Sequence, residues 1–171
     1  MKEVFVIDSN ILMLVNRFFG FETAPRFWST IKDKIDEGSI IILDVVKKEI
    51  NNGEDDLVTW INSIDRELIL DHRMDSSILN CYSQILQEIA NNKNYSQDAT
   101  FKWFDNEDFA DPWIIAVAMA KRYTIVSSET KKAGNSGNPT SNPKIPTVAS
   151  LFNVETINLQ EFLKRINLIW D

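Results

Sequence analysis

The sequence has 171 residues, of which 44% are hydrophobic and 25% are charged, and this composition predicts a single domain spanning residues 1–171. Its apolar runs are shorter than the ~18 residues of a membrane-spanning helix, and its start lacks a signal-peptide pattern, so we expect a cytoplasmic protein that contacts no membrane. One cysteine, Cys81, excludes an internal disulfide, and one histidine, His72, excludes a histidine-rich zinc site. Catalytic chemistry must therefore depend on carboxylates, and we interpret Cys81 and His72 as structural or incidental.

The formal net charge of −7 disfavours a protein that simply coats phosphates, because such proteins carry an excess of Lys and Arg. Carboxylates gathered in one cleft add to this negative total, yet they become a cationic site once metal ions occupy them. A metal-dependent enzyme that acts on nucleic acid is therefore compatible with an acidic chain.

Short, β-branched apolar runs alternate with helical patterns along the chain. Runs at Val4 to Ile7, Ile40 to Leu43 and Thr124 to Val126 are typical of strands in a parallel sheet that is covered on both faces. Apolar residues recur at three- and four-residue spacing in three intervening stretches, 27–35, 57–64 and 78–89. This alternation predicts an α/β protein with a three-layer α/β/α fold and a central, mostly parallel sheet.

The second half of the chain begins its regular structure at Asp111. Asp-Pro is a good N-cap followed by proline at the first helical position, and the apolar residues after it, up to Arg122, predict a buried helix capped by Asp111. Residues 154–157 predict a last strand, and residues 159–166 predict an amphipathic closing helix. Between the buried helix and the last strand, residues 131–146 are rich in Gly, Pro, Asn and Ser, which predicts a mobile surface loop.

Four acids are expected at one edge of the predicted sheet. Ligands of open parallel sheets bind beyond the carboxyl ends of the strands. Asp8 follows the first strand, Glu129 follows the strand that ends at Val126, Glu49 lies in a short helix after the second strand, and Asp111 begins the buried helix. Two carboxylates about 5 Å apart repel by roughly 3 kcal/mol at an effective dielectric near 20, so this cluster requires a cation. Ligands that are all oxygen favour Mg²⁺ or Mn²⁺ over zinc.

The segments around these acids resemble the four acidic motifs of PIN-domain nucleases. The segments are Val-Ile-Asp-Ser-Asn-Ile-Leu, Lys-Lys-Glu-Ile, Asp-Pro-Trp-Ile-Ile-Ala-Val-Ala and Ile-Val-Ser-Ser-Glu-Thr. Their order and spacing are most similar to those of the VapC-type toxin ribonucleases, from about Val4 to Phe162. The resemblance implies a PIN-like fold in which four residues are both catalytic and metal-binding: Asp8, Glu49, Asp111 and Glu129. It also implies supporting roles beside the metal ligands for Ser9, Asn10 and Ser127.

The same resemblance implies an endoribonuclease that cuts single-stranded RNA, leaves a 5′-phosphate, and acts as the toxin of a toxin–antitoxin pair blocked by a small antitoxin protein. A homodimer is an open alternative for its assembly. Two basic pairs adjoin the acids in sequence and are expected to contact substrate phosphates, although such pairs are ordinarily solvated surface: Lys47, Lys48, Lys131 and Lys132. The sequence departs from the family pattern in its final Glu in place of the more frequent Asp, in the long stretch before Asp111, and in the loop after Glu129.

Other readings of these residues stay open at the level of sequence. Asp8 and Asp111 could serve only as helix caps, Glu49 could lie on a solvated face, and four nearby acids could replace Glu49 or Glu129: Asp44, Asp105, Glu107 and Asp108. A PIN-type nuclease of RNA processing or DNA repair would share the same acids. An inactive PIN-like scaffold that binds a partner is disfavoured by the intact acids. A phosphoryl-transfer domain with Asp8 as nucleophile would need a further Lys or Ser/Thr constellation.

Overall fold

Five parallel strands form the centre of the protein in the computed structural model, which describes residues 3–73 and 75–168. The predicted limits at residues 1 and 171 lie outside these ranges. The spatial order of the five strands is β3-β2-β1-β4-β5, and every neighbouring pair is parallel. The strands are β1 (Phe5–Ile7), β2 (Ile40–Leu43), β3 (Ile69–Leu70), β4 (Thr124–Val126) and β5 (Thr156–Ile157).

Helices cover both faces of this sheet, so the predicted three-layer α/β/α fold with a central parallel sheet is confirmed. The helices are α1 (Ser9–Phe18), α2 (Pro25–Asp36), α3 (Asp44–Ile50), α4 (Asp56–Asn62), α5 (Ser76–Asn91), α6 (Gln97–Phe104), α7 (Ala110–Lys121), α8 (Ile145–Leu151) and α9 (Leu159–Arg165). Among the residues described, no helix is both long and apolar enough to cross a membrane.

The central strands are buried because the chain there is continuously apolar. All three residues of β1 and of β4 are buried, and the two strands pair in register from Phe5 opposite Thr124 to Ile7 opposite Val126. The chain builds the sheet outward from β1 in one direction through β2 and β3, and in the other through β4 and β5. The strand order therefore reverses between β1 and β4, and the crevice at their carboxyl ends is where a sheet of this type binds ligands.

The buried helix α7 begins two residues earlier than expected, at Ala110 instead of Pro112. Its N-cap is Phe109, whose side chain makes no capping hydrogen bond, and Asp111 is the second helical residue. The prediction that Asp111 caps this helix is therefore wrong. No residue of a helix's first turn has an intrahelical partner for its N–H, so Pro112 is tolerated at the third position as well as at the first.

The segment predicted as a loop is shorter than expected, because α8 begins at Ile145 with Pro146 in its first turn. The rest of the segment contains only isolated bridges, Tyr95 with Thr140 and Asn135 with Asn138. The mobility of this segment stays a prediction.

Candidate metal centre

Asp8 lies at the carboxyl end of β1, at the point where the strand order reverses. Its backbone N–H donates to the Val126 carbonyl at 3.0 Å, which continues the pairing of β1 with β4. Its carboxylate caps α1, accepts a hydrogen bond from the Ser127 hydroxyl at 2.9 Å, and makes longer contacts of 3.4 Å with Asn10. The residue is only 1% exposed. Ser127 and Asn10 therefore hold a buried carboxylate in a fixed place.

Ser9 connects Asp8 to Glu49. The Ser9 hydroxyl lies 2.7 Å from Glu49 Oε2 and 3.5 Å from Asp8 Oδ1. A serine hydroxyl has one proton, so the shorter contact identifies Glu49 as its acceptor. Helix α3 follows β2 directly and buries Val45, Val46 and Ile50, which leaves the partly buried Glu49 on the face that meets α1. Two strands that are adjacent in the sheet thus bring two acids together.

Asp111 is the third acid of the cluster. Burial, followed by the negative charges of Asp8, Glu129 and Glu49, raises the pKa of its carboxyl well above the ordinary value of 3.8. The Lys102 ammonium acts in the opposite direction on this pKa. Among the residues that the structure describes, none donates a hydrogen bond to the Asp111 side chain. All four predicted acids are therefore close enough to influence one another, and Asp111 has the least compensation.

Asp8 is likewise difficult to ionise. Burial raises its pKa from 3.8 to about 6, against the hydrogen bonds from Ser127 and Asn10, and the charge of Glu49 adds to the increase. Asp8 and its neighbouring acids consequently hold excess negative charge around a buried position. A bound cation relieves this condition.

Glu129 differs from the other three acids because both of its carboxylate oxygens already have partners. Oε1 lies 2.6 Å from the Lys144 ammonium, and Oε2 accepts a hydrogen bond from the Ile145 backbone N–H at 2.8 Å. Its own N–H donates to the Ser127 hydroxyl at 3.2 Å. Glu129 is thus tied to the start of α8 while its charge still acts on Asp111.

The donor set of Asp8, Glu49 and Asp111 fits a hard divalent cation, because all its ligand atoms are oxygen and Asp111 has no other partner in the part of the chain described. Their oxygens are nevertheless spread apart. Among the described residues, the group of three potential ligands with atoms within 4.8 Å of one another is Asp44, Asp71 and His72. Mutual repulsion among uncompensated carboxylates favours such spreading.

The second acidic group, Asp44, Asp71 and His72, has the spacing to hold a cation. Its atoms are, however, already engaged in hydrogen bonds. His72 Nδ1 lies 2.6 Å from Asp44 Oδ1, and Arg73 Nε donates to His72 Nε2 at 3.0 Å, so both ring nitrogens already have partners. Asp71 Oδ1 accepts from the Arg73 N–H at 2.9 Å. A cation ligated by His72 here would have to displace Arg73 or Asp44.

This second group is not predictable from the sequence, because its members are brought together by β3. That strand has two residues, too few to show a periodic pattern, and it places 71 and 72 beside the end of β2. His72 is 3% exposed and its ring packs against Trp113 at 4.3 Å between centroids. The buried environment of His72 is thus built from three separate elements.

The remaining candidate acids are Asp105, Glu107 and Asp108, and two of them form ion pairs. Asp108 pairs with Lys48, and Glu107 pairs with Arg73 at 3.1 Å. No ion pair to Asp105 is found within residues 3–73 and 75–168, and Asp105 is exposed. These pairs are solvent-exposed, so each contributes little to stability.

The predicted phosphate-binding lysines are distributed unevenly around the acids. Lys47 lines a surface pocket with Asp44 and Asp71. Lys48 meets Asp108, and Lys131 and Lys132 are exposed after β4. Two lysines that the sequence did not predict interact with the four acids. The Lys102 charge acts on Asp111, and the Lys144 ammonium forms an ion pair with Glu129.

Asp8 is expected to lower the stability of the metal-free protein by up to about 3 kcal/mol between about pH 4 and pH 6, because the folded chain retains the Asp8 proton over a range in which the unfolded chain has released it. Below pH 4 both states hold this proton, and above pH 6 both have lost it. Urea unfolding with chelator, measured across this range, should show a smaller decrease for Asp8→Asn than for the wild type. Parallel pH profiles for the two proteins would contradict the raised pKa.

Comparison with known proteins gives one match to a family. A family model described as a domain of unknown function (DUF4411) matches residues 5–169. No curated protein matches the chain. Because the family model covers almost the whole sequence, the chain belongs to the DUF4411 family.

Proposed function

We propose that this protein is a Mg²⁺- or Mn²⁺-dependent endoribonuclease that cleaves single-stranded RNA at the carboxyl edge of its sheet. The observation that carries the proposal is Asp111, whose partly buried carboxylate has no hydrogen-bond donor among the described residues yet lies in the field of Asp8, Glu49 and Glu129. Such a carboxylate is stabilised by a hard cation. The place of Asp8 at the reversal of strand order supports a ligand site there.

The resemblance to PIN-domain nucleases supports hydrolysis of a phosphodiester in particular. In that family's pattern, the acids that bind metal or support its ligands correspond to Asp8, Glu49, Asp111 and Glu129. By the similarity to VapC-type proteins, we further propose that the chain is the toxin of a toxin–antitoxin pair and that a small antitoxin protein blocks it.

The chain's own residues would contribute orientation and charge to this reaction. Ser127 and Asn10 hold Asp8, and Ser9 holds Glu49, so two ligands are placed before a cation arrives. When bound, Mg²⁺ or Mn²⁺ lowers the pKa of a coordinated water and offsets negative charge on the phosphate. Lys102, whose charge already acts on Asp111, is exposed and can meet a substrate phosphate.

A covalent role for Asp8, as in phosphoryl-transfer domains, is disfavoured by its surroundings. The residue is 1% exposed, and both carboxylate oxygens accept hydrogen bonds from Ser127 or Asn10. A nucleophile needs an oxygen that can reach the phosphorus atom, whereas a metal ligand needs only to face the cation.

The proposal is tested by incubating the purified chain, freed of contaminating ribonuclease, with end-labelled single-stranded RNA in Mn²⁺, Mg²⁺ or excess chelator. We expect fragments with a 5′-phosphate when metal is present and intact RNA with chelator. Single-stranded DNA and duplex RNA of the same sequence serve as matched substrates, and preferential cleavage of DNA would instead favour a repair nuclease. Intact substrates under every condition would contradict the proposal and favour the scaffold alternative.

A further inference from the structure

Lys144 and Glu129 form a partly buried ion pair beside the acidic cluster. The ammonium lies 2.6 Å from Glu129 Oε1, and the side chains of Lys144 and Glu129 are 27% and 15% exposed. Pairs with this degree of burial are less weakened by solvent than surface pairs are. The pair also holds a carboxylate whose charge raises the pKa of Asp111. Lys144 is thus a cation paired with one of the four acids, Glu129.

The backbone that carries Lys144 is fixed at several points. Thr140 N–H donates to the Asn94 carbonyl at 2.9 Å, and the Ser96 N–H donates to the Thr140 carbonyl at 2.9 Å. A Cβ at Gly134 would lie 2.4 Å from both Asn94 O and Thr140 N, so only glycine permits this close approach. The segment that delivers Lys144 is therefore packed against the connection between α5 and α6.

The segment also contacts α6 and leads directly into α8. Lys102 on α6 donates to the Asn142 side chain at 2.8 Å. The Ile145 N–H, at the start of α8, donates to Glu129 Oε2 at 2.8 Å. These contacts restrain the chain immediately before and after Lys144, which limits the positions that its ammonium can take.

The charges of the cluster divide into a compensated acid and three uncompensated acids. Lys144 neutralises Glu129, whereas Asp8, Glu49 and Asp111 have no cation in hydrogen-bonding contact among the described residues. One divalent cation reduces the charge of those three carboxylates from −3 to −1. A second divalent cation would require Glu129 as a ligand, and both oxygens of Glu129 are occupied.

We propose that the site binds one divalent cation, at Asp8, Glu49 and Asp111, and that the Lys144 ammonium occupies the place beside Glu129 that a second cation would take. This inference rests on the proposed metal-dependent function. A lysine ammonium is a compact charge with three donors, so Lys144 can bind Glu129 and still offer an N–H to a substrate phosphate. In this proposal Glu129 positions Lys144 and does not bind the metal ion directly.

The experiment measures the number of Mn²⁺ ions bound per chain, by calorimetric titration and by the electron paramagnetic resonance signal of free Mn²⁺. We expect one ion for the wild type and two for Lys144→Met, because the freed Glu129 then becomes available to a second cation. Lys144→Gln, which retains a hydrogen-bond donor, is a second variant with the same expectation. Lys164→Met, which removes an exposed lysine on α9, is the matched control and should bind one ion.

The double variant Lys144→Met with Glu129→Gln should return to one ion, because the second site loses its carboxylate. Two ions bound by the wild type, or one ion bound by both Lys144 variants, would overturn the inference and leave the proposed nuclease function intact. No ion bound by the wild type would overturn the proposed function itself.

Discussion

Asp111→Asn is expected to reduce the rate of RNA cleavage by more than about a hundredfold, since even residues that only support metal ligands typically cost about 10- to 100-fold when changed. An amide is a poorer ligand than a carboxylate for a hard cation, and Asp111 is the acid without a donor among the described residues. The measurement is the initial rate at saturating Mn²⁺, with wild type and variant purified side by side.

The loss must not come from unfolding, and the structure indicates that it will not. Asp111 lies in the first turn of α7 but makes no capping hydrogen bond, so asparagine removes a partly buried charge without removing a contact. Circular dichroism should show a folded variant. Asp33→Asn, at an exposed position on α2, is the matched control and should cleave at the wild-type rate. Activity of Asp111→Asn within a few fold of that control would remove Asp111 from the mechanism.

The sequence predicts the central strands well because they are buried on both sides. The bounds of β2 and β4 are those expected, since a continuous β-branched run has no polar position at which its end could be misplaced. Strand β3 has two residues, and α6 buries only Ala99 and Trp103, so neither offers enough positions to reveal a period. The start of α8 carried a readable signal, Pro146 after Ile145, that the loop-like composition before it obscured.

The site is predictable where it depends on strand ends and unpredictable where it depends on long-range contacts. Asp8 and Glu49 follow adjacent strands, so the topology alone brings them near each other. The contact of Lys144 with Glu129 joins residues 15 positions apart through an irregular connection, which no local pattern specifies. His72 is positioned by Asp44, 28 residues away, for the same reason.

Asp8→Asn is expected to raise the melting temperature of the metal-free protein by several degrees and to lose most of the stabilisation by metal. At neutral pH the wild type carries a charge at Asp8 whose pKa is raised to about 6, and its removal relieves a penalty of up to about 3 kcal/mol. Asparagine caps helices as well as aspartate does, so α1 should keep its start.

Metal binding should raise the melting temperature of the wild type by an amount that follows from the metal's affinity. Mn²⁺ at about 100 times its dissociation constant stabilises the folded state by roughly 2.7 kcal/mol. For a domain of this size that corresponds to an increase of about 5 to 11 °C.

Thermal melting of wild type, Asp8→Asn and Asp71→Asn, each with chelator and with Mn²⁺, separates the two acidic groups, because Asp71 belongs only to the group with Asp44 and His72. We expect Asp71→Asn to keep the wild-type shift and Asp8→Asn to lose it. The reverse pattern would locate the cation at Asp44, Asp71 and His72, and equal shifts in all three proteins would show that neither group binds it.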